Sequence, residues 1–336
     1  MPRKDRVELI KEIQASRGSQ LICCLTSDRQ NAQGIIAKDF IPIFFEHLNR
    51  LRDRQKVDVL LFTMGGDTLA AFGLSRLLWE FTPFVGVLVP EKCYSAGTLF
   101  ALGANQIFMG KAATLTPIDP SVTTPLNPIV EIVPGQRMLQ PVSVESVAGY
   151  LTLLKEDWRL NDEGTTEAFR ILAERINPLA LGDVYRSRQQ IERLAKVLIN
   201  HHRKDERNIE RIVEQFTRGF GSHDYLISRS EARDILGQQM APDDSALETL
   251  IWALYMDFRD EMRLGVIFDP GMAIQTGVAA GKKLPILDEQ KVVIIESETR
   301  ADEFERVMQI SSVQTMTPAG PAPGVQVAVV RAGWKK

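Results

Sequence analysis

Between Ser19 and Gly110 the chain alternates two hydrophobic periodicities. Short apolar runs, Leu21–Thr26, Val57–Thr63, Phe84–Val89 and Gln106–Met109, are rich in β-branched and aromatic residues, and segments with helical spacing such as Thr68–Phe81 separate them. Parallel strands need long crossover connections, and strands covered on both faces read as continuous apolar runs instead of alternating ones. These four runs have both properties. The expected fold is therefore α/β, a core of repeated βαβ units with a mostly parallel sheet flanked by helices. A chain of 336 residues leaves room for such a core plus appendages, and 44% hydrophobic with 25% charged residues excludes a mainly disordered chain.

Beyond the core the texture changes. Pro117, Pro120, Pro125, Pro128, Pro134 and Pro141 forbid a continuous helix, so this stretch is expected to be a long loop or arm. From Val144 to about Gly219 the spacing is helical, and further helices are expected at Ser230–Leu236 and Ser245–Met262. Leu264–Phe268 and Lys291–Glu296 read as β-like, Thr317–Gly324 as a linker, and Val325–Arg331 as a last strand before a basic tail at Lys335 and Lys336. The expected division is an N-terminal helix (1–18), a core domain (19–240), an α/β extension (241–316) and a linker with terminal strand or tail (317–336).

Several classes of function are disfavoured at this point. A net charge of -3, with basic residues interleaved among acids, supplies no field for nucleic acid. Neither a G-x-G-x-x-G fingerprint nor a phosphate-binding P-loop follows the strands, and His201 and His202 have no cysteine or paired carboxylate at ligand spacing. No cofactor or metal is expected. The start, Met-Pro-Arg-Lys-Asp-Arg, lacks the apolar stretch of a secretory signal, and windows such as Val57–Phe62 are too short for the roughly 20 residues of a membrane helix. Cys23, Cys24 and Cys93 lie in or beside apolar runs, which suits a reducing cytoplasm. His47, within the apolar Phe44–Leu51 stretch, reads as a structural histidine.

Two segments carry chemistry. The strand Leu60–Thr63 runs into Gly65-Gly66 and then a helix, so main-chain N–H groups stand exposed without a Cβ nearby, as an oxyanion hole requires. The second strand, ending at Val89, leads through a short connector to Ser95 and the small-residue helix that follows. Serine at a helix start has unsatisfied N–H groups beside its oxygen. Taken singly, the glycines read as readily as a tight turn, and Ser95 reads more readily as a plain N-cap. Taken together, two consecutive βα crossovers bring both turns to the carboxyl edge of one sheet, where open α/β proteins bind ligands.

The runs Thr63-Met64-Gly65-Gly66-Asp67, Val89-Pro90-Glu91-Lys92-Cys93-Tyr94-Ser95-Ala96-Gly97-Thr98 and Thr116-Pro117-Ile118-Asp119-Pro120 resemble, in order and spacing, the serine dehydrogenase proteinase family. That family is related to the Clp protease and signal peptide peptidase A superfamily, with its ClpP/crotonase-like fold. The resemblance covers about residues 19–240 and includes Thr217–Tyr225 and Ser230–Gly237. It implies a serine peptidase acting through an acyl-enzyme on Ser95. Gly65, Gly66 and Ala96 would form the oxyanion and substrate-binding turn, with a peptide or unfolded protein as substrate and a homo-oligomeric assembly.

A hydroxyl needs a base, and here the sequence departs from Clp protease. The stretch that should supply its catalytic histidine is Pro117-Ile118-Asp119-Pro120, and Asp119 there reads as readily as a rigid turn. Lys155, between Leu151 and Trp158 on a helical pattern, resembles the lysine of the Ser-Lys peptidases associated with stomatin operons, and apolar neighbours would desolvate it. His223, next to Asp224, is the alternative base; Lys92 and Lys111 are weaker ones. Two other readings stand beside the peptidase: a catalytically silent Clp-fold module that binds peptides or proteins, and a crotonase-like acyl-CoA enzyme, which has no use for Ser95.

Overall fold

The computed structural model describes residues 3–118, 121–122, 125–133, 136–140, 142–317 and 320–335. Its contacts divide into two compact units, Met1–Thr114 with Ser228–Lys336, and Leu115–Ile227.

The first unit begins with helix α1 (Arg3–Arg17), which buries Ile10 and Ile13. Strand β1 (Gln20–Thr26), helix α2 (Phe40–Arg50), strand β2 (Val57–Phe62), helix α3 (Thr68–Phe81), strand β3 (Val85–Val89), helix α4 (Ala96–Leu102) and strand β4 (Gln106–Met109) follow. The four strands are parallel and in register, Ile22 beside Val59, Val59 beside Val87 and Val87 beside Ile107. Every residue of β2 and β3 is buried, which is why these runs are apolar without alternation. Asp67 caps α3 by accepting from the Leu69 and Ala70 N–H groups at 2.8 and 3.1 Å.

The second unit holds the proline-rich stretch. Instead of a plain loop it carries a hairpin, β5 (Ile129–Val133) and β6 (Gln136–Leu139), with Ile129 opposite Leu139. Pro117, Pro125 and Pro128 all precede β5, so none removes a ladder N–H from it. Helices α5 (Val144–Thr152), α6 (Asp162–Arg175), α7 (Pro178–His202) and α8 (Glu206–Glu214) follow. Asn161 and Asn177 cap α6 and α7, and Pro178 occupies the first helical position. Asp119 lies outside the described residues.

The chain then returns to the first unit with α9 (Arg229–Leu236), opened by a Ser228/Glu231 capping box, and α10 (Ser245–Met262). Leu264–Phe268 is not a strand. Its backbone is held by side chains instead of a ladder: the Gly265 N–H donates to Asp28, while Arg29 and Asn31 donate to the Val266 and Phe268 carbonyls. Helix α11 (Pro270–Ala279), capped by Asp269, follows; glycines and a weak apolar stripe conceal it in the sequence. Strands β7 (Ile286–Ser297), β8 (Arg300–Thr317) and β9 (Gly320–Lys335) form an antiparallel meander whose first strand pairs with β1. The sheet order is β9-β8-β7-β1-β2-β3-β4. Residues 241–316 are thus no separate extension, because β7 continues the core sheet and α10 covers it. Residues 320–324, expected in a linker, are paired within β9.

One face of the sheet packs Leu25, Phe62, Leu88 and Phe108 against Ile10 and Ile13 of α1 and Leu254, Tyr255 and Phe258 of α10. Alternate residues lie on the other face, where Leu61 approaches α4 at Gly97. Among the described residues no helix is long and apolar enough to cross a membrane.

Candidate active site

The carboxyl ends of β2 and β3 carry the two motif segments, and buried Thr63 joins them. Its N–H donates to the Lys92 carbonyl at 2.9 Å, and its own carbonyl accepts from the Tyr94 N–H at 3.0 Å. Its hydroxyl oxygen accepts from the Gly65 N–H at 3.0 Å and lies 2.8 Å from the Thr26 hydroxyl. One side chain therefore braces the glycine turn, while its main chain holds the connector that leads to Ser95. The Gly97 backbone lies so close that an added Cβ would come within 2.4 Å of the Thr63 methyl group. Thr63 opens the Thr63–Asp67 run without being a candidate in its own right; its polarity at the end of an apolar strand was the available signal.

Gly65 and Ser95 meet. A Cβ built on Gly65 would fall 2.9 Å from the Ser95 Cβ and 3.4 Å from the Ala96 nitrogen. Gly65 and Gly66 have φ of 109° and 145°, values that side-chain-bearing residues rarely adopt. Gly66 also faces the main chain of Ile36, where its Cβ would sit 2.3 Å from the carbonyl oxygen. Ile36 brackets the turn, its N–H donating to Gly65 and its carbonyl accepting from Asp67, both at 2.9 Å. The glycines are thus required by close backbone approach on two sides.

Ser95 itself has φ 49° and ψ -109°, an unusual conformation for a residue with a Cβ, and it makes no cap hydrogen bond to α4. The plain N-cap reading does not hold. Ser95 is partly exposed, at the opening of a helix that is buried throughout. Neither the Gly66 nor the Ala96 N–H has a hydrogen-bond partner among the described residues. Free N–H donors on the two motif turns and a reachable hydroxyl on one of them are components that an oxyanion site requires.

Nearby titratable groups are occupied. Burial pulls the Lys92 amine down, but its hydrogen bond and charge pairing with Asp28 at 2.7 Å leave it above the ordinary lysine value, so it stays an ammonium. Tyr255 donates to Glu91, and Tyr94 shares a 3.0 Å hydrogen bond with Thr114. Burial pushes the Cys93 thiol up, so it is no competing nucleophile. Lys111 is exposed and 3.9 Å from Glu248.

Both candidate bases belong to the second unit. Lys155 sits in a π-helical turn, Leu153–Asp157, where the Trp158 N–H donates to the Leu153 carbonyl five residues back. The wider winding undoes the expected i-4 and i+3 flanking. Leu154 is buried, Lys155 is exposed and Trp158 is 64% exposed, so the apolar cage anticipated around the amine is not formed by its own helix. His223 is exposed in the turn after Phe220.

Comparison with known proteins bears on the segment that carries these motifs. Residues 2–138 match the family of ClpP-like SDH-type serine proteinases. Two uncharacterized proteins of Methanocaldococcus jannaschii are similar to the chain. MJ1495 is 33% identical over 125 residues, covering 35% of this chain and 42% of that protein, and MJ0137 is 30% identical over 128 residues, covering 35% and 43%. The chain thus spans about two fifths of the length of these curated relatives. Among solved structures, the 1510-N membrane-bound stomatin-specific protease aligns over 68% of this chain and 82% of its own at 14% identity and a TM-score of 0.38. ClpP1 from Listeria monocytogenes aligns over 74% and 99% at 13% identity and a TM-score of 0.37.

Proposed function

We propose that the chain is a serine peptidase that hydrolyses peptide bonds through an acyl-enzyme on Ser95. The observation that carries this reading is the contact of the Gly65-Gly66 turn with Ser95, beside two N–H groups that have no other partner among the described residues. In the reaction, the Ser95 oxygen attacks the peptide carbonyl and its proton passes to a base. Negative charge developing on the carbonyl oxygen is held by the Gly66 and Ala96 N–H groups. The base then protonates the departing amine, and water hydrolyses the ester by the same route.

Lys155 is the proposed base, giving a Ser-Lys arrangement, and His223 is the alternative. A working lysine must be neutral, so desolvation of the exposed Lys155 has to come from groups beyond its own helical turn, such as bound substrate. The substrate class is a peptide or unfolded protein, with the buried free cysteines Cys23, Cys24 and Cys93 fitting a cytoplasmic enzyme. Fluorophosphonate labelling tests the assignment. Wild type is expected to be labelled at Ser95, Lys155→Ala to lose the label and His223→Ala to keep it. The reverse pattern assigns the base to His223, and absence of labelling in folded wild-type protein favours the silent binding module.

A further inference from the structure

We propose that the outer edge of β9 receives a second copy of this chain, strand to strand, across a two-fold axis at Val327. β9 is the last strand of its sheet and, among the described residues, pairs only with β8, so alternate N–H and C=O groups along it point away from the sheet. Its side chains are open as well: Val325, Val327, Val329 and Val330 are between 41% and 56% exposed. Val329 lies opposite Met308 and Val327 opposite Ile310. Directly opposed residues share a face, and Met308 and Ile310 belong to a buried cluster with Ile286, Phe268 and two residues of α11. The valines are thus the uncovered continuation of an apolar face that α11 covers only on its inner side.

Protection against edge pairing is present at both ends of β9 and missing between them. The strand opens with Gly-Pro-Ala-Pro-Gly at 320–324, where the prolines offer no N–H, and it closes with Arg331 and Lys335. Val330 has no partner in β8; a bulge there shifts the register, and the ladder resumes with Arg331 opposite Val307. Between the prolines and this bulge lie five uncharged residues, Val325 to Val329. An edge left open over one short window, and blunted on either side, accepts a strand of limited length in one register.

That window complements itself. With a second copy antiparallel about Val327, Val325 faces Val329, Gln326 faces Ala328 and Val327 faces its own equivalent. Arg331 falls opposite Pro323, so no like charges oppose each other, and Lys335 keeps its contacts with Glu289 and Glu305. The two-fold places the same face of both copies on one side, joining the two valine stripes.

The test uses the full chain. Val327→Cys is expected to give a covalent dimer with a short bis-maleimide, because opposed Cβ atoms lie about 5 Å apart, and the native cysteines are buried. Leu287→Cys, more exposed at 56% against 41% for Val327 but away from the edge, is expected to give none. Val327→Lys places two ammonium groups at the axis, and its sedimentation mass is expected to fall to that of a smaller species while the circular dichroism stays native. A wild-type chain that sediments as a monomer at its highest soluble concentration would overturn the proposal. So would an assembly whose mass Val327→Lys leaves unchanged, or cross-linking no stronger at 327 than at 287. None of these measurements involves Ser95, so the peptidase reading and this one can fail separately.

Discussion

Two serines of this chain stand in very different company. Ser297, at the end of β7, has His47 Nδ1 2.8 Å away, and the other ring nitrogen lies 3.1 Å from Asp302. Serine, histidine and aspartate are in line there, and all three are sealed from solvent. Ser95 sits at a strained turn against Gly65, partly exposed to solvent at the start of α4. In hydrolytic triads Nε2 faces the serine and Nδ1 the acid, the opposite of the arrangement at Ser297. The buried trio ties α2 to β7 and β8. Its burial leaves no route for a substrate. Access and charge stabilisation, more than the list of side chains, separate a site from a structural network.

The largest effect expected from this contrast is on Ser95 itself. Ser95→Ala should reduce fluorophosphonate labelling and casein cleavage to background, whereas Ser297→Ala should leave both at the level of the wild type. Cleavage that survives in Ser95→Ala would break the comparison.

Next in size is Gly66→Ala, which forces a Cβ against the Ile36 carbonyl and turns a donor away from the carbonyl oxygen. Turnover per folded molecule is expected to fall by about a hundredfold, near 3 kcal/mol, with KM much less affected. Thermal melts establish the folded fraction, and unchanged kcat in that fraction would remove the donor role.

The buried trio should reveal itself in stability. Burial takes the His47 pKa down to about 4, with Arg300 adding to the fall and Asp302 opposing it. Since the unfolded chain binds this proton near pH 6.5, the contribution is complete above that value and is lost as pH falls towards 4, by about 3 kcal/mol. His47→Gln should flatten the slope of unfolding free energy against pH in this window, measured by urea titration. Identical slopes in the two proteins would show that the ring does not carry the dependence.

The smallest expected effect sharpens the brace between the two motif turns. Thr63→Val keeps the shape but leaves the Gly65 N–H without its acceptor, at about 1–2 kcal/mol. The rate of Ser95 labelling should drop several-fold with KM unchanged, and Thr63→Ser should restore it. A rate unaffected by Thr63→Val would make the residue mere packing.

Much of the fold could be read in advance where one periodicity dominates. Thr68–Phe81 and Ser245–Met262 form helices with the expected ends because Asp67 and Asp244 cap them, and Gln106–Met109 is a strand with the expected ends. Leu264–Phe268 misled because an apolar run looks alike in a strand and in a turn pinned by side chains from distant loops. The long β8–β9 hairpin was hidden by prolines that an edge strand tolerates.

For the site, spacing alone placed Ser95 and Gly65-Gly66 at neighbouring strand ends, because consecutive βα crossovers deliver their turns to the same edge of a parallel sheet. That much was determined by the order of residues. Tertiary structure decided the rest: the van der Waals approach of Gly65 to Ser95, the Ile36 strap behind Gly66, the Thr63 brace and the pairing that occupies Lys92. It also buried one serine-histidine-aspartate line and left Lys155 on a π-turn in water. Contacts between residues far apart in the chain depend on how strands and helices stack. A local pattern fixes which face a side chain takes, whereas solvent access and distance are set by elements it never names.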